Sequence, residues 1–335
     1  MPRRLSQPNL EPAAGVSAGI TPEAAAPVRS TIAALNELTK PRITRLVTIT
    51  SGVGFTISAI GQSWNSTDLI LRGLGCIFGT AFSAAGANAL NQWWERDRDA
   101  IMPRTAHRPV PTGELTPGVA LTLGLFCSCA GLTMLALVGL APALVSLVTI
   151  LVYVLVYTPL KPLTPLNTLV GAIPGALPPL IGWTAAATGT HLAGNGTGLN
   201  GLLQPGGWSL FLLMFVWQIP HFLAIAWMYR DDYAKGGYRM LPIGDVTGSA
   251  TASTILVWSV ALIPATIAPV MLTDGRLGLV SAVVAGGTGL IYLALCVRLA
   301  RTRSVPHARA VFFFSIMHLP LLLMVMVGDA IVRAM

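Results

Sequence analysis

The sequence predicts an all-α, polytopic membrane protein built as a bundle of nine transmembrane helices. Of its 335 residues, 53% are hydrophobic and only 10% are charged, whereas a soluble domain carries about 25% charged residues. So few charges cannot cover a water-facing surface. The apolar residues also fall into runs of about 20, the length that crosses a hydrocarbon core roughly 30 Å thick.

Nine such runs follow one another along the chain, separated by short or polar connections. They lie near residues 43–60, 69–90, 118–138, 141–158, 166–186, 208–228, 252–272, 277–297 and 310–332. Only the surroundings of Gly139 separate the third run from the fourth, which predicts a tight hairpin. Glycine and alanine recur within the runs, and small residues let membrane helices approach closely. The runs therefore predict one compact bundle.

Two segments differ from these runs. Residues 1–34 are rich in proline, alanine and serine and lack the apolar core of a signal peptide, and this composition predicts a disordered tail. Residues 187–207 carry no charge and many glycines, which predicts a mobile loop on the side of the membrane opposite to that tail.

The positive charges, which give the chain a net charge of +8, collect on one side of the predicted bundle. The side that holds the N-terminus collects most of the basic residues, whereas the other side has only Arg72, Arg276 and Arg333. Cytoplasmic loops carry such an excess of lysine and arginine. We therefore expect a multi-pass protein of the cell inner membrane with a cytoplasmic N-terminus. The bilayer explains the basic composition, and no nucleic acid partner is expected.

A strip of oxygen donors ends the second predicted span. Asn91, Glu95 and Asp99 follow one another at intervals of four residues, so a continuous helix places them on one face. Magnesium is usually held by one or two carboxylates together with substrate phosphates. A charged turn at the membrane surface is the alternative, but carboxylates contribute little to topology and are costly near lipid. The strip therefore predicts a site for a metal-complexed diphosphate.

Basic residues follow the strip within the loop 102–113. Arg104 and Arg108 are the candidates for substrate contact, since a guanidinium group binds phosphate oxygens in a bidentate manner. Three prolines and a glycine in the same loop predict a stiff, non-helical conformation.

A second acidic cluster follows the sixth predicted span. Asp231 and Asp232 are adjacent, so they cannot share a helical face, and we predict Asp232 as the metal ligand and Asp231 as a substrate-binding residue. Lys235 and Arg239 add positive charge for phosphate. Counting spans places this cluster on the same side of the membrane as the first, so both are expected to face one cavity.

One histidine, His221, lies inside the sixth predicted span. A lone histidine in a span is often only hydrogen-bonded within the bundle, but ionisable residues within membranes also mark functional sites. Both interpretations stay open, and His221 is predicted as a substrate-binding residue.

The sequence resembles the UbiA superfamily of intramembrane prenyltransferases over roughly residues 35–330. The motifs that carry the likeness are the strip from Asn91 to Asp99, the arginine loop that ends at Gly113, and Tyr229-Arg230-Asp231-Asp232-Tyr233. The resemblance implies a nine-helix prenyltransferase domain over 35–335, Mg²⁺ as the cofactor, and roles for Lys161 and Tyr229 in substrate binding. The superfamily often has aspartate where this chain has Glu95.

Three stretches, 91–113, 161–167 together with 175–183, and 217–242, are most similar to superfamily members that act on heme. That likeness implies transfer of the farnesyl group of farnesyl diphosphate to a vinyl group of heme B. An aromatic acid or a chlorophyllide is the alternative acceptor. A transporter for an anionic solute is the alternative class, but transporters more often place ionisable residues at the midplane of the membrane.

Overall fold

The computed structural model describes residues 30–187 and 199–335. Most of the predicted tail and of the loop 187–207 lie outside these residues. The helices, in chain order, are α1 (Thr31–Leu38), α2 (Pro41–Ala59), α3 (Ser66–Asp99), α4 (Pro117–Val138), α5 (Leu140–Leu151), α6 (Thr158–Leu160), α7 (Asn167–Ala176), α8 (Pro178–Ala187), α9 (Pro205–Met228), α10 (Arg230–Lys235), α11 (Leu241–Gly244), α12 (Ser249–Leu272), α13 (Leu279–Thr302) and α14 (Val305–Ala334). A π-helical segment, Val152–Tyr157, joins α5 to α6, and the 3₁₀ helix Leu199–Leu203 precedes α9.

The predicted helical bundle is confirmed, and each of the nine apolar runs corresponds to helix. Eight helical stretches of the described chain are long and apolar enough to cross a membrane, with α5 to α6 and α7 to α8 each forming one stretch. The first run, α2, is not among these eight, because it begins with Arg42 and Arg45 and is interrupted by threonines, serines and glycines. Helix α2 nevertheless packs extensively on α8 and α3.

Helix α3 is much longer than the run that predicts it. It has 34 residues, which corresponds to about 50 Å at 1.5 Å per residue. A hydrocarbon core of about 30 Å cannot contain this length. The C-terminal turns, which carry Asn91, Glu95 and Asp99, therefore extend the helix to the end of the bundle.

Glycines allow α2 and α8 to pack backbone against backbone. A Cβ atom at Gly182 would lie 1.7 Å from the Ser51 carbonyl oxygen, and one at Gly54 would lie 2.0 Å from the Pro179 carbonyl oxygen. No side chain larger than hydrogen fits at either position without a shift of the helices. This seam holds α2 against the middle of the bundle.

The short helix α1 covers one end of the bundle. It begins at Thr31, earlier than the predicted end of the tail at residue 34, because the Ser30 hydroxyl accepts a hydrogen bond from the Ala33 N–H at 3.2 Å. Ala34 and Leu38 are buried against apolar residues of α3 and of the loop 101–116. As predicted, that loop contains no helix.

The opposite end is closed by contacts between connecting segments and helix termini. Asp329 of α14 accepts hydrogen bonds from the Gly278 N–H at 2.7 Å and from the Ser281 hydroxyl at 2.6 Å, and it thereby caps α13. Arg276 donates to the Ile60 carbonyl at 3.0 Å. The groups at this end are used in holding the helices together.

Candidate functional site

The predicted donor strip is buried at the end of α3. Asn91, Glu95 and Asp99 are 1%, 4% and 1% exposed, and the Asn91 amide donates to Glu95 Oε2 at 3.0 Å. The same amide donates to the Thr158 hydroxyl at 2.9 Å. The three side chains thus share one helix face, whereas Asp97 is 84% exposed. The spacing of four residues thus distinguishes the buried side chains of this segment from the exposed Asp97.

Three cationic side chains meet this strip. Lys161 Nζ lies 2.7 Å from Glu95 Oε1, and Arg108 Nη1 lies 2.5 Å from Asp99 Oδ2. The third cation, Lys40, donates to Asn91 Oδ1 at 2.7 Å. These three cations face two carboxylates, so the cluster carries an excess of positive charge. We call this group of side chains the charged cluster: Lys40, Arg108, Lys161, Glu95, Asp99 and Asn91.

Sequence reasoning missed the role of Lys40 and counted it only among the basic residues that orient the chain. Its backbone adopts a left-handed conformation with φ 48°, which is uncommon for a residue other than glycine. Burial of the ammonium, together with the positive charge of Arg108, lowers the pKa of Lys40 to about 7. A cation held at this cost, with a neutral amide as its only hydrogen-bond partner in the described chain, is a marker of function.

Helix α1 holds Lys40 in place. The Gln92 side chain donates to the carbonyl groups of Glu37 at 3.2 Å and of Leu38 at 2.9 Å. These bonds fix the C-terminus of α1 against α3 and direct the next residues into the site. The available sequence signal was the lysine directly before Pro41, at a helix start.

Lys161 is the best-paired cation of the cluster. Burial by itself lowers the pKa of Lys161, but the adjacent Glu95 carboxylate outweighs this effect and holds the pKa well above its ordinary value. The ammonium also lies 4.6 Å from the centre of the Tyr157 ring, a cation–π contact. Tyr157 ends the π-helical segment, and such segments are frequent at functional sites.

The second predicted cluster lies at the same end of the bundle, as span counting predicts. The Arg98 guanidinium donates to the Gly236 carbonyl at 3.1 Å, and Arg104 donates to the Tyr233 hydroxyl at 3.2 Å. Arg104 also lies over the ring of Tyr229, with 5.6 Å to its centre. The arginine loop is thus in direct contact with residues 229–239, which we call the α10 segment.

The residues of the α10 segment are more exposed than those of the strip. Asp231 is 88% exposed and pairs with Arg230 at 3.5 Å, and Lys235 and Arg239 are exposed. The Arg239 N–H donates to the Lys161 carbonyl at 2.8 Å, so this segment is tied to the charged cluster through its backbone. Asp232 is half-buried, and its carboxylate has no hydrogen bond or ion pair with the described residues.

The donors fit a magnesium ion that a substrate completes. Asp99 Oδ1 is buried without a hydrogen-bond partner among the residues that the structure describes, and a hard cation is a suitable partner for such an oxygen. No three carboxylate, histidine or cysteine side chains of the described chain converge into a metal site. Phosphate oxygens would have to complete the coordination.

His221 lies apart from the charged cluster, inside α9. Tyr229 follows it by eight positions, a rise of about 12 Å along the helix. Its Nδ1 lies 2.6 Å from the Ser315 hydroxyl, so it is hydrogen-bonded within the bundle as one of the two interpretations predicts. The fold therefore provides a polar site at one end of an apolar bundle and a separate imidazole at greater depth.

This arrangement defines a class: a helical membrane protein with a cluster of charged side chains at one end of an apolar bundle. The model of the UbiA prenyltransferase family matches residues 47–317. The chain belongs to this family and is a membrane-embedded prenyltransferase.

Curated relatives are similar over nearly their whole length. The Solibacter usitatus protein named protoheme IX farnesyltransferase is 43% identical over 88% of this chain and 97% of its own. The protein of that name from Opitutus terrae is 39% identical over 88% of this chain and 93% of its own. Similarity of this extent covers both halves of the site, the strip on α3 and the segment of α10.

Solved structures share the fold at low sequence identity. A digeranylgeranylglyceryl phosphate synthase structure has a TM-score of 0.70 at 17% identity and covers 90% of this chain and 99% of its own. A UbiA homolog from Archaeoglobus fulgidus, bound to GPP and Mg²⁺, has a TM-score of 0.58 at 13% identity and covers 88% of this chain and 99% of its own.

Proposed function

We propose that this prenyltransferase transfers the farnesyl group of farnesyl diphosphate to a vinyl group of heme B and releases heme O and diphosphate. The observation that carries the proposal is the buried charged cluster, whose excess of positive charge suits a diphosphate. The similarity to proteins named protoheme IX farnesyltransferase supports farnesyl as the group and heme as the acceptor.

Four side chains would hold the magnesium ion: Asn91, Glu95, Asp99 and Asp232. When bound, the ion stabilises the negative charge that develops on the departing diphosphate. The finding that an Archaeoglobus fulgidus homolog binds GPP with Mg²⁺ supports this assignment. In this chain, the assignment is supported by Asp99 Oδ1, which is buried without a hydrogen-bond partner among the described residues.

The cations of the chain provide the remaining stabilisation. Lys40, Lys161 and Arg108 would contact the leaving group, and preorganised charges in a site of low dielectric stabilise a developing anion strongly. Each is in contact with a residue of the strip. Arg104, Lys235 and the other residues of the arginine loop and the α10 segment would bind the outer phosphate oxygens.

The reaction needs no protein nucleophile. The bond between C1 of the farnesyl group and the diphosphate oxygen breaks, and the electron pair leaves with diphosphate. C1 then bonds to the terminal carbon of the vinyl group, and water adds to the inner vinyl carbon and loses a proton. Because an allylic cation must not meet water early, an apolar helical interior is required around the farnesyl chain.

The distribution of charge supports an orientation with the charged cluster at the cytoplasmic face of the cell inner membrane. Most lysines and arginines of the connecting segments lie at this end, together with the N-terminus of α1, as expected for cytoplasmic loops. A soluble diphosphate product would then leave directly into the cytoplasm.

The proposal is tested by expressing the chain in cells that lack heme O and extracting their hemes. Heme O should appear with the intact chain and should fall by at least 100-fold with Asp99→Asn, because a buried ligand charge is lost. Folded, membrane-inserted chain without any heme O would contradict the proposal. A fully active Asp99→Asn variant with normal magnesium dependence would contradict the metal assignment alone.

A further inference from the structure

His221 has one ring nitrogen fixed and the other free. Its Nδ1 lies 2.6 Å from the Ser315 hydroxyl, and that hydroxyl donates to the Phe312 carbonyl at 2.6 Å. We assign the single hydroxyl hydrogen of Ser315 to that carbonyl, which makes the serine oxygen the acceptor and puts the proton of the imidazole on Nδ1. The lone pair of the neutral imidazole is then on Nε2. No residue in the ranges 30–187 and 199–335 forms a hydrogen bond with this atom.

Two aromatic rings fix the plane of this imidazole. Trp217 stacks on one side at 4.9 Å between ring centres and 19° between planes, and Phe312 stacks at 5.3 Å and 25°. The Trp217 indole in turn donates to the Ser315 carbonyl at 3.2 Å. With two aromatic rings stacked on the imidazole and Nδ1 bonded, Nε2 is the ring nitrogen that is open to a ligand.

The imidazole faces the interior of the bundle. Gln218 donates to the Ala172 carbonyl of α7 at 3.4 Å, while Trp217 contacts α14. Residues three and four apart share a helix face, so His221, which follows both at these intervals, faces the gap between α7 and α14. Phe215 lies on another face of α9 and packs against Trp258 of α12. Helix α2 packs on both α9 and α14, which places this gap inside the bundle.

We propose that Nε2 of His221 ligates the iron of the porphyrin acceptor and that Ser315 is a positioning residue for it. Imidazole is a common ligand of heme iron, and metal-ligating histidines almost always donate their other N–H to an acceptor. The inference rests on the proposed function. His221 lies about 12 Å along the helix from Tyr229, so an iron held by His221 would stand away from the charged cluster.

Ligation is measured on the purified full-length chain in lipid nanodiscs, by titration with ferric protoheme IX without any prenyl diphosphate. Absorption and electron paramagnetic resonance spectra of the wild type should show imidazole-ligated iron. His221→Ala should lose this signature, and His221→Gly should regain it when imidazole is added. Ser315→Ala should keep the signature and bind heme about 10- to 100-fold more weakly. The matched control is His307→Ala at the start of α14, which should change neither.

The outcome is separable from that of the proposed function, because farnesyl transfer is scored independently by chromatography of the extracted hemes. A folded His221→Ala chain with the wild-type spectrum would overturn the ligand assignment, whatever its activity. The assignment would also be overturned if free imidazole, added to the His221→Gly chain, did not restore the spectrum of imidazole-ligated iron. A wild-type chain that makes no heme O would overturn the proposed function, even if the spectrum showed imidazole ligation.

Discussion

At the scale of single residues, the balance of charge in the cluster determines what it accepts. Glu95 and Asp99 each have a cationic partner, whereas Lys40 has only the neutral amide of Asn91. An ammonium group has three hydrogens to donate, so Lys40 has capacity for an anionic ligand. Its left-handed backbone and partly buried position are then understood as features of the site rather than of the fold.

Lys40→Met should weaken binding of the prenyl diphosphate. A hydrogen bond to a charged group contributes about 1.5–3 kcal/mol, which corresponds to an increase of KM by about 10- to 100-fold with a smaller effect on kcat. Lys40→Arg should retain part of the affinity. Steady-state kinetics in detergent measure this, with Arg301→Gln at the exposed end of α13 as the control. An unchanged KM for Lys40→Met would show that Lys40 does not contact the diphosphate.

The pair of Lys161 and Glu95 is expected to affect stability as well as activity. Both side chains are buried, at 12% and 5% exposure, and removal of one partner from a buried ion pair costs about 3–5 kcal/mol. Lys161→Met should therefore destabilise the protein strongly. The double variant Lys161→Met with Glu95→Gln should regain much of the stability but no activity. Thermal unfolding of the single and double variants in detergent gives the interaction free energy between Lys161 and Glu95.

At the scale of elements, close helix packing sets where the site residues stand. Helix α2 begins directly after Lys40, and its position depends on the seam with α8 at Gly54 and Gly182. The length of α3 brings its last turns past the membrane to the arginine loop. Helix α1 then holds Lys40 against α3, and the backbone of Arg239, after α10, is bonded to that of Lys161. A shift of any of these elements changes the distances between the charged groups.

Gly182→Ala should therefore disrupt both folding and activity. The added Cβ would lie 1.7 Å from the Ser51 carbonyl oxygen, and we expect a loss of stability of about 2 kcal/mol or more, since backbone atoms must move. Gly286→Ala in α13 is the matched control, because no atom lies within 4 Å of its added Cβ. That control should stabilise by up to about 1 kcal/mol through helix propensity. Equal stability of the two variants would contradict the close seam.

At the scale of the whole molecule, the bundle has one chemically active end and one structural end. The first gathers the charged cluster, and the second uses Asp329 and Arg276 to fix helix termini. Because the two ends differ, the protein has a defined orientation in the membrane. Under the proposed function, the hydrophobic donor chain and the porphyrin would bind between these ends.

Surface labelling tests this direction. Asp231 and Asp274 are 88% and 81% exposed and lie at opposite ends of the bundle. Asp231→Cys should react with an impermeant maleimide only in inverted vesicles, and Asp274→Cys only in right-side-out vesicles or spheroplasts. The native cysteines lie within α3, α4 and α13, so the unmodified chain gives the background. The reverse pattern would contradict the cytoplasmic placement of the charged cluster.

The sequence predicts the parts of this architecture that depend on local pattern. Apolar runs give the helices, fourfold spacing selects Asn91, Glu95 and Asp99, and span counting places both acidic clusters at one end. Contacts between distant segments leave no such pattern. Lys40 and Asn91 are 51 positions apart, and His221 and Ser315 are 94 apart, so their pairing emerges only from helix packing. The moderate hydropathy of α2 likewise reflects its burial against other helices.

The central claim is tested most directly with the purified chain, heme B, magnesium and radiolabelled farnesyl diphosphate. The account predicts that label enters a porphyrin product with the mass and chromatographic behaviour of heme O, and that diphosphate is released in equal amount. Chelation of magnesium should stop both. Label transferred to an aromatic acid or another acceptor but not to heme, by a folded chain that binds magnesium and the diphosphate, would contradict it.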